Sequence, residues 1–180
     1  MQESSQTEDR ILIIRATEGD AEAFGLLFDK YSKKIYRFIY YKVSRTEIAE
    51  DLTSQSFLKT WEHLYEGSKI NNFQQWIYRV ARNLVIDYYR SREKEELPLI
   101  YQEEEIIDES LIVDPESSLK LEELKKLLLS LKSDIREIVI LKFIEDLSIK
   151  EIAKIVDKSP GNIRVIIHRA IKELKNNIKD

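Results

Sequence analysis

A run of acidic residues cuts this chain in two. Between Glu93 and Glu116 there are ten carboxylates and one cation, Lys94, together with Pro98 and Pro115 and no sustained apolar period. Such a stretch repels itself and offers no face to bury, so it reads as a flexible acidic linker, either a solvated tether or a functional acidic segment. The flanking parts must then fold as separate units, expected at residues 1–94 and 117–180 with the linker at 95–116. The run also explains the charge. Its net −9, set against −4 for the whole chain, leaves the remainder at +5. An average acidity that would argue against contact with a phosphate backbone therefore hides two mildly basic units.

The fold class follows from what the chain lacks. With 43% hydrophobic and 34% charged residues but only 4 Gly and 3 Pro, it has material for cores and few residues that punctuate sheets. The expectation is all-α, in two small helical domains. No cysteine is present, which excludes disulfides and thiolate metal sites, and His63 and His168 are too far apart to suggest a local zinc site. Residues 1–10 have no apolar core of the signal-peptide kind, and no later run approaches a membrane span, so a soluble cytoplasmic protein without membrane insertion is expected. No nucleophile motif, glycine-rich phosphate loop or metal constellation stands out, so neither an enzyme nor a cofactor is expected.

In the first half, Ile11–Ile14 and Ala21–Tyr41 read as helices broken at Glu18-Gly19-Asp20. Ser44 and Glu47 have capping-box spacing and open a helix that runs to about Tyr65. Phe57, Trp61 and Leu64 are spaced there for burial, while Asp51, Gln55, Lys59 and Glu62 fall on another, free face. After the loop Glu66–Asn72, a helix from Phe73 to about Arg92 carries Phe73, Ile77, Val80, Leu84 and Tyr88 as a core stripe. Its opposite side bears Trp76, Arg79, Asn83, Asp87 and Arg90, with Arg82 beside them. An aromatic, an amide and several guanidinium groups can stack on unpaired bases and neutralise phosphates. The bland alternative is a core tryptophan beside ordinary solvated arginines.

The second half carries the sharper pattern. Leu119–Leu131 and Ile135–Ile144 read as amphipathic helices separated near Lys132-Ser133-Asp134. Ser148 and Glu151 form a second capping box, opening a short helix to Val156 that buries Ile149, Ile152, Ala153 and Val156. Asp157-Lys158 turns the chain to Ser159 as N-cap and Pro160 at the first helical position, and a longer helix follows to about Ile178. Ile163, Ile167, Ala170, Leu174 and Ile178 point inward, whereas Gly161, Arg164, His168, Lys172 and Lys175 line an outward face. From Lys158 to Asp180 six cations oppose two acids. A short helix, a tight turn and a longer basic helix are what a DNA-reading helix-turn-helix requires. A plain helical hairpin with solvated lysines is the alternative, and His168 reads as DNA-facing or partly packed rather than catalytic.

In four stretches the sequence resembles the extracytoplasmic-function group of the sigma-70 family. These are Gly19-Asp20-Ala21-Glu22-Ala23-Phe24 with Leu27-Phe28 and Tyr31; Ala49-Glu50-Asp51-Leu52 through Phe57-Leu58-Lys59-Thr60-Trp61; Phe73 and Trp76 through Asn83 with Asp87-Tyr88; and Leu147-Ser148, Glu151-Ile152-Ala153, Gly161, Arg164, His168-Arg169-Ala170 and Leu174. The resemblance implies a region 2-like domain at 1–94, which binds the polymerase clamp and opens the minus-ten element, and a region 4-like helix-turn-helix domain at 117–180, which reads the minus-thirty-five element. It places core-polymerase contacts at Asp51, Gln55, Phe57 and Leu58, and minus-ten contacts at Lys69, Asn71, Asn72, Trp76, Arg79, Arg82, Asn83 and Arg90. It places minus-thirty-five contacts at Ser159, Gly161, Asn162, Arg164, Val165, His168, Arg169 and Lys172.

The partners implied are bacterial core RNA polymerase, through the clamp coiled coil of its largest subunit and its flap, promoter DNA, and an anti-sigma factor as a further candidate. Two departures stand out. Where the family usually carries Gln-Glu in the clamp helix, this chain has Ser54 and Gln55, and Val165 and Ile166 replace a small polar and a basic residue. The rival readings are a free-standing helix-turn-helix regulator with a helical ligand or dimerisation domain, and a purely structural helical protein.

Overall fold

The computed structural model describes residues 2–94 and 115–177, with side chains over 6–92 and 123–176. The linker reading, apart from its two ends, and Ile178 lie outside the described residues. Among the described residues all regular structure is helical: α1 (Gln2–Thr17), α2 (Ala21–Val43), α3 (Thr46–Tyr65), α4 (Phe73–Lys94), α5 (Pro115–Ser130), α6 (Ser133–Val139), α7 (Ile149–Val156) and α8 (Pro160–Asn177), with a π-helical turn at Ile140–Ile144. The chain divides into two compact units, Met1–Ile39 with Glu47–Ile100, and Tyr40–Thr46 with Tyr101–Asp180. The last turn of α2 thus groups with the second unit, a division that sequence spacing did not suggest.

In the first unit the turn between α1 and α2 forms where Gly19 takes a left-handed φ of +91°. Asp20 then caps α2, its Oδ1 accepting the Ala23 N–H at 3.0 Å while Oδ2 pairs with Arg15 at 2.7 Å. The buried carboxylate of Asp9 on α1 is paired with Lys30 and accepts from the Tyr31 hydroxyl at 2.5 Å. An unpaired carboxylate there would be costly, so α1 is held in register on α2. The core beneath is aromatic. Phe38 meets Tyr78 edge-on at 5.3 Å, and Phe24 packs against Phe57, Trp61 and Phe73.

Two sequence expectations fail here. Ser44 does not cap α3: it sits at a left-handed φ of 54°, donates its N–H to the Tyr40 carbonyl at 2.8 Å and so terminates α2, while α3 begins at Thr46. In α4 the buried set is Phe73, Ile77, Tyr78, Ala81, Leu84 and Val85, with Val80 and Tyr88 only half-buried. The packed face is therefore rotated from the expected stripe, because α4 is covered by more than one neighbour.

In the second unit α5 begins at Pro115, whose missing N–H costs nothing at a first helical position. The π-helical turn is closed by the Glu145 N–H on the Ile140 carbonyl at 3.0 Å. Lys42, at the end of α2, and Glu137 are both buried and form an ion pair. The core of α6–α8 centres on Ile138, Ile140, Leu141, Ile152, Ile163 and Ala170.

Candidate nucleic-acid interface

The caps of the helix-turn-helix are built as its sequence spacing implies, although in α7 Ile155 is buried and Ile149 only half-buried. Ser148 accepts the Glu151 N–H at 3.3 Å and Glu151 accepts the Ser148 N–H at 2.8 Å, a complete capping box on α7. Asp157 ends α7 in a left-handed conformation, φ 55°, and the Lys158 N–H returns to the Ala153 carbonyl. Ser159 then accepts the Asn162 N–H at 3.2 Å and caps α8. Each cap satisfies backbone groups that would otherwise be orphaned, and together they fix the angle between the helices.

On α8, Ile163 and Ala170 are fully buried, while Gly161, Asn162, Arg164, Val165, His168 and Lys172 are exposed. A Cβ at Gly161 would meet only the Ser159 hydroxyl, at 4.0 Å, so packing does not demand a glycine there. Arg169 lies on the flank of this face and lines a cavity of about 410 Å³ with Lys132 and Lys158. Ser159 is itself exposed, and its cap uses the hydroxyl oxygen only as an acceptor.

In the first unit the residues assigned to a nucleic-acid face separate. The loop after α3 turns at Gly67, φ +76°, and is anchored by buried Ile70, leaving Lys69 and Asn71 exposed. Asn72 caps α4, its Oδ1 accepting the Gln75 N–H at 2.8 Å. Trp76 and Asn83 line a cavity of about 300 Å³ between α3 and α4, with Lys59, His63 and Asp87. The Trp76 indole stacks on the His63 imidazole, centroids 4.1 Å apart and planes 21° apart, and its buried N–H finds no acceptor among the described residues. Arg79 and Arg90 are exposed but do not line the cavity, and Arg82 is half-buried and already partnered.

His63 and Lys59 were not among the expected contacts. Lys59 is exposed, as expected with Asp51, Gln55 and Glu62, and also borders the cavity. Only the pairing of α3 with α4 brings His63 to Trp76, and spacing along one helix cannot reveal that.

The third group lies on α3. Asp51 and Leu58 are exposed and Gln55 partly so, with the Gln55 amide donating to Asp51 at 2.7 Å. Phe57 is 3% exposed and its ring packs on Phe28 at 4.7 Å, so in this structure it supports the face from inside. Among the described residues no cluster of His, Asp and Glu could hold a metal ion, and no helix is long and apolar enough to cross a membrane.

One unit thus carries a helix-turn-helix and the other a polar cavity with an aromatic wall. The Sigma-70 region 2 model matches residues 27–95 and the Sigma-70, region 4 model matches residues 121–174. The chain is 35% identical to the ECF RNA polymerase sigma factor BldN of Streptomyces coelicolor, over 94% of this chain and 65% of BldN, so it spans just under two thirds of that relative. It is 28% identical to the ECF RNA polymerase sigma factor SigW of Bacillus subtilis, over 93% of this chain and 95% of SigW.

The fold is shared with CnrH, solved in complex with the cytosolic domain of CnrY, at a TM-score of 0.74 and 21% identity over 96% of this chain and 97% of that one. It is shared too with the sigma factor RpoE, solved with the anti-sigma factor NepR from Bartonella quintana, at a TM-score of 0.75 and 24% identity over 88% of this chain and 98% of that one. The chain belongs to the sigma-70 family, in its extracytoplasmic-function group.

Proposed function

We propose that this protein binds core RNA polymerase in the cytoplasm and directs promoter-specific initiation, as a specificity subunit rather than an enzyme. The observation that carries this over a free-standing regulator is the cavity between α3 and α4. A regulator needs only the helix-turn-helix, whereas an initiation factor must also hold a strand apart. The cavity pairs an aromatic wall, Trp76 on His63, with an unpartnered indole N–H and the polar groups of Lys59, Asn83 and Asp87. An unpaired base suits such a wall, because every base has a face to stack and an edge to bond. Exposed Lys69 and Asn71 at the loop, and Arg79 and Arg90 along α4, meet phosphates of the same strand in this reading. Arg82 and Asn72 support that surface from within.

On α8 the exposed row Gly161, Asn162, Arg164, Val165 and His168 reads the upstream promoter element, with Lys172 and Arg169 at its margins. Val165 suits a thymine methyl. Asp51, Gln55 and Leu58 meet the clamp coiled coil of the polymerase, and the second unit meets its flap. Each DNA reader alone would bind weakly, and docking on polymerase would raise the effective concentration of both at a promoter. An anti-sigma factor as a restraining partner is suggested by the complex of RpoE with the anti-sigma factor NepR.

The test is initiation on duplex and on premelted promoters by holoenzyme reconstituted with this protein. Asn83→Ala is expected to impair duplex templates more than premelted ones. Equal losses on both would remove the cavity from strand opening, and separate elution of protein and core polymerase at micromolar concentration would sink the initiation-factor reading.

A further inference from the structure

We propose that the polymerase-binding face of α3 extends past Leu58 to Tyr65, which is its apolar anchor. The inference rests on the polymerase reading above and concerns where that face ends. At about 100° per residue, Asp51, Gln55, Leu58, Glu62 and Tyr65 fall within about 80° of arc, opposite the buried Leu52, Ser56, Thr60 and Leu64. Their spacing of four, three, four and three residues is the heptad spacing with which one helix lies along another. Leu58 is 57% exposed and Tyr65 74%, the latter the largest exposure among the large hydrophobic residues described. Tyr65 is also braced, because its ring stacks on Trp61 with centroids 6.5 Å apart and planes 30° apart. An aromatic held in place by its own helix loses little freedom on binding.

The polar members of the row point the same way. The Ser54 hydroxyl donates to the Glu50 carbonyl at 3.0 Å, and the Gln55 amide is turned onto Asp51. Ser54 and Gln55 thus spend hydrogen bonds within the helix, so the apolar members of the row carry more of the contact. The exposed acids Asp51, Glu62 and Glu66 flank them. They would repel a nucleic-acid strand, which favours the polymerase clamp of the reading above over an unpaired base of the promoter as the occupant.

The experiment measures affinity of the full-length protein for core polymerase and, separately, opening of a duplex promoter by saturated holoenzyme. Tyr65→Ala is expected to weaken core binding roughly tenfold to hundredfold, as loss of an aromatic anchor does, with opening at saturation unchanged and Tyr65→Phe close to wild type. Glu62→Lys is expected to weaken binding less, and by an amount that shrinks with added salt.

Leu58→Ala separates this inference from the reading on which it rests. If Leu58→Ala weakens binding and Tyr65→Ala does not, the face ends at Leu58 and the inference is wrong. If wild type itself fails to bind core polymerase, the underlying reading is wrong. Unchanged core affinity with impaired opening in Tyr65→Ala would assign the ring to DNA and overturn the proposal. Should Tyr65→Ala lower the thermal unfolding midpoint, Tyr65→Lys and Glu62→Lys at matched stability must still weaken binding, or the proposal falls.

Discussion

The recognition helix and the α3–α4 cavity make contrasting surfaces. On α8 every proposed contact projects from a single helix whose start is set by Ser159 and whose packed side is Ile163 and Ala170. The cavity has no single owner: Lys59 and His63 come from α3, and Trp76, Asn83 and Asp87 from α4. A one-helix surface depends on local caps and tolerates change in the rest of its unit. A two-helix cavity depends on the core that holds the helices at a fixed spacing, so it should fail when that core is disturbed.

The largest expected effect tests that dependence. Phe57 stands beneath the outer face of α3 and packs on Phe24 and Phe28. Phe57→Ala should lower stability by about 3 to 5 kcal/mol, the usual cost of removing a buried phenyl group. Denaturant unfolding would measure it, and duplex opening should fall with it. If stability held and only polymerase affinity fell, Phe57 would be a contact residue and the cavity would not depend on the core as described.

How much of each surface could be read from the chain follows from the same contrast. Ser148, Glu151, Ser159 and Pro160 announce the helix-turn-helix because caps and first-turn prolines act within four residues. The stack of His63 on Trp76 is silent in sequence, since it is decided by how two helices pack. Ser44 shows that even a local signal can mislead. Its spacing to Glu47 suits a capping box, yet the tight connection to α3 needs a left-handed residue, and Ser44 supplies it. The rotation of α4, which buries Tyr78, Ala81 and Val85, is likewise a packing outcome, because periodicity gives a face but not its exact centre.

A smaller effect sharpens the recognition-helix side of the comparison. Arg164 is exposed one turn into α8, where side chains reach base edges. Arg164→Ala should cost about 1 to 3 kcal/mol at one base pair of the upstream element and relax preference there. Holoenzyme binding to a panel of single-base promoter variants checks it. A uniform loss across the panel would make Arg164 a phosphate contact, and base reading would pass to Asn162, Val165 and His168. Stability should not change, in contrast to Phe57→Ala.

The smallest effect asks whether local capping in the first unit behaves as it does in the second. Asp20 caps α2 much as Ser159 caps α8, but with a charge. The Ala23 N–H and then Arg15 hold its carboxyl below the usual carboxylate range. A group whose pKa is lower folded than unfolded stabilises the protein above its unfolded value, about pH 4 for an aspartate, and that contribution is lost as pH falls through the folded value. Asp20→Asn keeps an acceptor for the Ala23 N–H and removes the charge. The variant should therefore melt slightly below wild type near pH 7, and the gap should close as acid protonates Asp20 in the wild type. Thermal melts across the acid range would show it. Coincident melts at every pH would mean that the charge contributes nothing and that the cap acts through its hydrogen bond alone, as the uncharged Ser159 does on α8.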